Sequence, residues 1–129
     1  MKWWKMCYRK NSYQGCYPGR AFIETLILWI IHKRPLHGYE IRKNIEHALK
    51  GNYVPKPGAV YTILRRMEQK GLLISEWKKE KMGKKDRRVY NITEKGRSLL
   101  KVRLKIMKER MELLEQMVSY YDSTLKGSS

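Results

Sequence analysis

The densest cluster of charged side chains lies in residues 78–88. Seven of these eleven residues are Lys or Arg, against Glu80 and Asp86, and Gly83 stands near the middle. Lys and Arg side chains bind phosphate oxygens through charge-assisted hydrogen bonds. Strand-like runs at residues 72–77 and 89–92 flank the cluster and predict a short hairpin with a cationic loop. Such a loop is suited to lying along a polyphosphate, so nucleic acid is the expected partner class.

The overall charge agrees with this expectation. The 129 residues include 29 Lys or Arg and 12 Asp or Glu, which gives a formal net charge of +17. An imbalance of this size favours anionic partners. A solubilising surface is the alternative, and the clustering of the charge argues against it. A hydrophobic content of 42% indicates a globular chain, with room for one domain and an appendage.

Other chemistries find little support in the sequence. Cys7 and Cys16 form no zinc pattern with the three histidines, which leaves open, in this order, free thiols, a local disulfide and a metal site. Neither a phosphate-cradling glycine loop nor a nucleophile–base pattern is visible, so no enzyme, cofactor or metal is expected. The longest apolar run, residues 26–31, is too short to span a membrane, and the N-terminus lacks a secretory signal pattern. We therefore expect a cytoplasmic protein with no membrane partner.

Three predicted helices precede the hairpin and must position it. Residues 21–32 are apolar on more than one face, as in a helix buried on two sides. A second helix spans 38–49, and a third runs from Pro57 to about Gly71 with its apolar residues spaced for one helical face. Three helices followed by a two-stranded wing is the order of a winged helix-turn-helix. We predict a mainly α domain over residues 21–92, preceded by a basic, aromatic tail at 1–20.

A long helix is predicted at 93–126, starting from a Thr93 cap, with a frayed end at 127–129. Its apolar residues alternate in steps of four and three, as in the seam of a coiled coil. Pairing with the first helix of the same chain is the alternative, but the seam is too long for a domain of this size to cover, so association with a second chain is preferred. The predicted dimerisation residues are Leu26, Trp29, Leu100, Leu104, Met107, Met111, Leu114, Val118, Tyr121 and Leu125.

Three collinear segments resemble a known family. Residues 35–41 read PLHGYEI, residues 57–73 read PGAVYTILRRMEQKGLL, and residues 88–96 read RVYNITEKG. They are similar to signature stretches of the PadR family of winged helix-turn-helix transcriptional regulators, and the similarity spans residues 22–100. This resemblance implies a homodimeric, usually repressive regulator of a pseudo-palindromic DNA operator, with a small aromatic or amphipathic effector near the dimer interface. It also implies that Tyr39 and Tyr61 lie near the DNA backbone or take part in helix packing at that surface.

The remaining DNA contacts divide by position. Phosphate contacts position a protein on DNA, whereas base contacts specify the sequence. Phosphate or minor-groove contacts are assigned to Lys56, Lys81, Lys84, Lys85, Arg87 and Arg88. The residues assigned to the major-groove face of the third helix are Tyr61, Thr62, Arg65 and Arg66. For the two arginines, a solvated helix face paired with Glu68 is the alternative.

Three further expectations concern single residues and the whole chain. His37 is expected to start a helix or form a turn. Trp29 and Trp77 are expected in the core by default, with an effector cavity as the alternative. A non-specific architectural or RNA-binding protein, and a protein–protein module of the transcription machinery, are the competing functions.

Overall fold

Four helices and a small sheet follow one another along the chain, as seen in a computed structural model that describes residues 19–51, 54–79 and 87–127. The elements are α1 (Arg20–Lys33), β1 (Leu36–His37), α2 (Gly38–Ala48), α3 (Pro57–Gln69), β2 (Leu73–Lys78), β3 (Arg87–Ile92) and α4 (Glu94–Tyr120). A π-helical segment, Tyr121–Leu125, continues α4. This confirms the predicted mainly helical winged helix-turn-helix with a long C-terminal helix.

The sheet is larger than the predicted two-stranded wing. Its strand order is β1-β3-β2 and both pairings are antiparallel. In the hairpin, Leu73 pairs with Ile92 and Trp77 with Arg88, while β1 adds Leu36 opposite Tyr90. A two-residue strand is too short to show an alternating pattern, so only its pairing with β3 reveals it.

Local hydrogen bonds set the ends of the helices. At α2, His37 Nδ1 accepts from the Glu40 backbone N–H at 3.4 Å and Glu40 Oε1 accepts from the His37 N–H at 3.5 Å, which is a capping box and confirms His37 at a helix start. At the end of α3, Gly71 adopts a φ of 77°, and the Leu72 N–H reaches the Met67 carbonyl at 2.9 Å. Thr93 Oγ1 caps α4 by accepting from the Gly96 N–H at 3.0 Å.

The core lies where α1 meets α2, α3, the sheet and the start of α4. Its fully buried side chains are Ile27, Leu28, Ile31, Ile41, Ile45, Leu64, Met67, Leu73 and Val60. Leu26 and Leu100 belong to the same core. Both were predicted to contact a second chain, and the structure instead gives them a packing role within their own domain, because α1 and the first two turns of α4 bury each other.

Beyond Arg103, α4 leaves the domain. Over roughly 33 Å every side chain from 104 to 127 is exposed. The predicted seam residues in this half are all exposed: Leu104, Met107, Met111, Leu114, Val118, Tyr121 and Leu125. Ile106, Leu113, Met117 and Tyr120 form a second exposed apolar stripe beside them, so the apolar face is wider than the seam alone.

The two tryptophans that were expected in the core lie at the surface. Trp29 is 43% exposed and Trp77 is 67% exposed, so the default core assignment was wrong for both. Cys7, Cys16 and nearly all of the predicted tail lie outside the described residues. Across the described ranges, no helix has the length and apolar character needed to cross a membrane.

Candidate nucleic-acid interface

A cleft of about 800 Å³ lies between α3 and the wing. Five of the predicted DNA-binding residues line it: Tyr39, Tyr61, Arg65, Arg87 and Arg88. His37, Gly38, Glu68, Gln69, Trp77 and Tyr90 complete the lining. The structure therefore brings together cationic and aromatic side chains that lie up to 51 positions apart in sequence, from Tyr39 to Tyr90. Flat rings and guanidinium groups are suited to phosphate and base-edge contacts.

The two predicted tyrosines are held at one side of this cleft. Tyr61 packs over Gly38 at the start of α2, so closely that an added Cβ on Gly38 would lie 2.5 Å from Tyr61 Cε1. Tyr39 is exposed, and Lys43 Nζ lies 5.4 Å from the centre of its ring. The Tyr61 ring is thus packed on one side and accessible on the other, whereas the Tyr39 ring is largely open to solvent.

The exposed face of α3 carries the other predicted contacts. Arg65 and Arg66 are both exposed, and Lys56 is the exposed N-cap residue of α3. The N-terminus of a helix has a partial positive charge and favours anions. Thr62 Oγ1 donates to the Gly58 carbonyl at 2.8 Å, so its hydroxyl is left to accept a hydrogen bond from a ligand.

Arg88 has an internal role that the sequence did not indicate. Its Nε donates to Ser75 Oγ at 2.7 Å, and its Nη2 lies 3.4 Å from Glu68 Oε1. Its guanidinium carbon also lies 5.9 Å from the ring centres of Trp77 and Tyr90. Glu68 thus faces the wing, and these contacts hold β2 and β3 against α3.

Tyr90 forms the floor of the cleft. Its side chain is buried, and burial raises the pKa of its phenol above the ordinary value of 10.0, although the positive charge of Arg88 acts in the opposite direction. The phenol is therefore neutral at physiological pH. A neutral ring beneath a cationic cleft does not repel a phosphate.

Arg87 connects the wing to the start of α2. Its Nη1 lies 2.7 Å from His37 Nε2, and that nitrogen lies 2.8 Å from Glu40 Oε1. The N-terminus of α2 and the base of β3 are thus joined through one histidine.

Sequence reasoning missed Trp77 as a residue of the cleft beside α3. Leu73, Ser75 and Trp77 alternate along β2, and alternate residues of a strand share a face. That spacing was the available signal for Trp77, since Ser75 faces Glu68 of α3. Lys81, Lys84 and Lys85 lie outside the described residues, whereas Lys56, Thr62 and Arg66 lie outside the cleft lining. Within the described ranges, no group of three His, Cys, Asp or Glu could hold a metal ion.

This fold, with its cationic cleft between the third helix and the wing, is that of a winged helix-turn-helix protein. The sequence pattern of the transcriptional regulator PadR-like family matches residues 27–102, more than half of the chain. The chain therefore belongs to the transcriptional regulator PadR-like family.

Several known proteins are similar to it. The transcriptional regulator YqjI of Escherichia coli is 31% identical over 100 residues, which cover 78% of this chain and 44% of that protein. The chain thus spans less than half the length of this relative. A transcriptional regulator from Clostridium thermocellum shares the fold with a TM-score of 0.66 at 27% identity, covering 77% of this chain and 92% of that one. A PadR family regulator from Clostridium difficile gives 0.66 at 29% identity, covering 75% and 98%.

A more distant structure shares the fold alone. Bacillus subtilis PadR in complex with operator DNA superimposes with a TM-score of 0.57 at 22% identity, covering 64% of this chain and 46% of that one.

Proposed function

We propose that the protein is a homodimeric, sequence-specific regulator that binds a pseudo-palindromic operator in double-stranded DNA. The observation that carries the proposal is the cleft in which α3 and the wing bring Arg65 and Arg87 together with the exposed edges of Tyr39 and Tyr61. The net charge of +17 supplies the long-range attraction to DNA.

On this proposal α3 enters the major groove. Arg65 and Arg66 are exposed on the same helix as the N-cap residue Lys56, so they can reach base edges while Lys56 contacts a phosphate. A bidentate arginine–guanine pair contributes about 1–3 kcal/mol of discrimination. Lys81, Lys84 and Lys85 of the wing loop contact the backbone beside the groove. The distant fold relative from Bacillus subtilis has been crystallised with operator DNA, which supports DNA as the partner.

The dimer part of the proposal rests on the outer half of α4. Its seam and the adjoining stripe expose large apolar side chains over roughly 33 Å, a surface suited to the same helix of a second copy. Two-fold symmetry would then place two α3 helices on half-sites about one helical turn apart. A single winged module makes too few contacts for tight specific binding.

Repression and its release by an effector complete the proposal. The family resemblance implies a small aromatic or amphipathic compound bound near the dimer interface. Trp29 of α1 and Met107 and Met111 of α4 are exposed, and methionine-rich surfaces adapt to varied apolar ligands. A cytoplasmic location follows from this function. A panel of small aromatic and amphipathic compounds tests it by release of a bound duplex, and failure of every compound counts against effector control.

One experiment tests the main proposal. Fragments bound by the full chain are selected from random duplex DNA at a stated salt concentration, and the affinity for the selected duplex is compared with that for scrambled DNA. A regulator should prefer its selected site by roughly a thousandfold or more, and the site should be an inverted repeat. Equal affinity for both duplexes would instead support the non-specific architectural alternative that the high positive charge also allows.

A further inference from the structure

Glu24 is a buried acid that the DNA-binding surface does not use. It lies on α1, its side chain is 3% exposed, and a buried carboxylate is stable only when it is paired. Its two oxygens have different partners: Lys70 Nζ lies 3.0 Å from Oε1, and Arg103 Nη1 lies 3.3 Å from Oε2. Lys70 is the C-cap residue of α3, and Arg103 belongs to α4. One carboxylate therefore joins the end of the recognition helix to the long C-terminal helix.

A second set of contacts reinforces this connection. The turn after α3, residues 70–72, receives three bonds from the start of α4. Thr93 Oγ1 donates to the Gly71 carbonyl at 2.6 Å, and the Thr93 N–H donates to the Leu72 carbonyl at 3.2 Å. Lys95 Nζ donates to the Lys70 carbonyl at 2.7 Å. The first turn of α4 is thus bonded to the backbone that ends α3.

Close packing also restricts how α4 can move relative to the end of α3. A Cβ added to Gly96 would clash with the Leu72 carbonyl oxygen, so only glycine lets α4 approach the residue before β2 this closely. Arg103 also donates to the Ala21 carbonyl at 3.3 Å, which fixes its guanidinium on α1. The direction in which α4 leaves the domain is therefore set by contacts with α1 and with the end of α3.

We infer that the Glu24–Lys70–Arg103 triad is a specificity-determining device that sets the spacing between the two operator half-sites. The inference rests on the proposed dimer formed through α4. If two copies join through their outer α4 segments, the distance and rotation between the two α3 helices follow from the angle between α3 and α4 within each copy. Within this junction, the triad is the part that ties both helices to one buried carboxylate, although none of its members is assigned to the DNA.

The test uses the full chain and duplexes in which two selected half-sites are separated by different numbers of base pairs. Each added base pair moves a half-site by about 3.4 Å and rotates it by about 35°. The wild-type protein should favour one spacing by about tenfold or more over spacings one base pair longer or shorter. Lys70→Met removes the link to α3 from a half-exposed side chain. Glu24→Gln removes the negative charge and one of the two acceptor oxygens, so at most one of the two cations keeps a neutral hydrogen bond.

Both variants should lower the spacing preference to less than about threefold. Their affinity for a duplex with a single half-site, and their dimeric mass by light scattering, should equal those of the wild type. Lys105→Met is the matched control, because it removes one exposed lysine from α4 outside the junction and should keep the wild-type preference.

The possible outcomes separate the two proposals. Variants that keep the wild-type spacing preference overturn the inference and leave the proposed function intact. A wild-type protein that is monomeric, or that binds all spacings equally, overturns the proposed dimeric regulator and the inference with it. If Glu24→Gln fails to fold by circular dichroism, the result for Lys70→Met decides, because that side chain is half exposed and its loss leaves the Glu24–Arg103 pair in place.

Discussion

Glu68 of α3 and Arg88 of β3 face each other across the cleft, with Arg88 Nη2 3.4 Å from Glu68 Oε1. The Ser75 hydroxyl lies between them, 2.8 Å from Glu68 Oε1 and 2.7 Å from Arg88 Nε. The wing is therefore attached to α3 through side chains, and the exposed arginines of α3 keep a fixed separation from the base of the wing.

Replacing Ser75 by alanine should weaken this attachment. The bridge loses its central hydroxyl, and Arg88 Nε loses its acceptor, so the free energy of unfolding should fall by about 1 kcal/mol in urea denaturation. Ser119→Ala, at an exposed position of α4, is the control and should leave stability unchanged or slightly higher. An equal change in the two variants would mean that the bridge contributes nothing.

Lysines of the wing loop and arginines of α3 should differ in what their loss does to DNA binding. The double variant Lys84→Ala with Lys85→Ala should weaken binding to specific and random duplexes alike and lower the salt slope by about 0.9 per lost phosphate contact. Arg65→Ala should relax sequence preference at one position by about 1–3 kcal/mol. Binding curves at several salt concentrations measure both effects, and the division of roles fails if the two variants behave alike.

Two glutamates placed in the α4 seam should separate the subunits. Leu104 and Met111 are both exposed in the single chain, so Leu104→Glu with Met111→Glu should leave the fold unchanged by circular dichroism. Two buried charges in each helix of a dimer would be costly, and light scattering should report a monomer. Lys105→Glu with Ser119→Glu, on another face of α4, should stay dimeric. A dimeric seam variant would show that the subunits join elsewhere.

Gly96→Ala should destabilise the domain. The new Cβ would meet the Leu72 carbonyl oxygen and, at 2.7 Å, Ile92 Cγ1, and the first of these is backbone that cannot rotate away. Overpacking of this kind costs about 1–3 kcal/mol, which denaturant unfolding can measure. Gly58→Ala makes the opposite change on α3, where no atom lies within 4 Å, and should raise stability by up to about 1 kcal/mol. Equal effects at the two glycines would contradict the close approach of α4 to the residue before β2.

The sequence predicted the helices and the hairpin to within a few residues because their signals are local. Thr93 and His37 cap helices through bonds to backbone three residues away, and Gly71 ends α3 through its own positive φ. The exposed face of α3 was also readable, because periodicity alone places Arg65 and Arg66 opposite the buried Val60 and Leu64.

The sequence could not reveal contacts between distant elements. Arg88 resembled its basic neighbours, and only the fold shows that Ser75 and Glu68 engage it. Leu100 continued the heptad spacing, yet it lies where α4 still packs on α1. Glu24 was an unremarked acid in an apolar helix, because its partners lie 46 and 79 positions away. Each of these contacts joins residues that are far apart in the sequence, and the spacing of residue types along the chain carries no information about such contacts.

The outer half of α4 also bears on the fate of a chain that has no partner. Between residues 104 and 127, eleven large apolar side chains are exposed to water in the single chain. On the proposed dimer, a newly made chain would be prone to aggregation and proteolysis until it met a second copy, and its melting temperature should rise with protein concentration. Below the concentration at which dimers form, most chains would therefore be degraded before they could bind DNA.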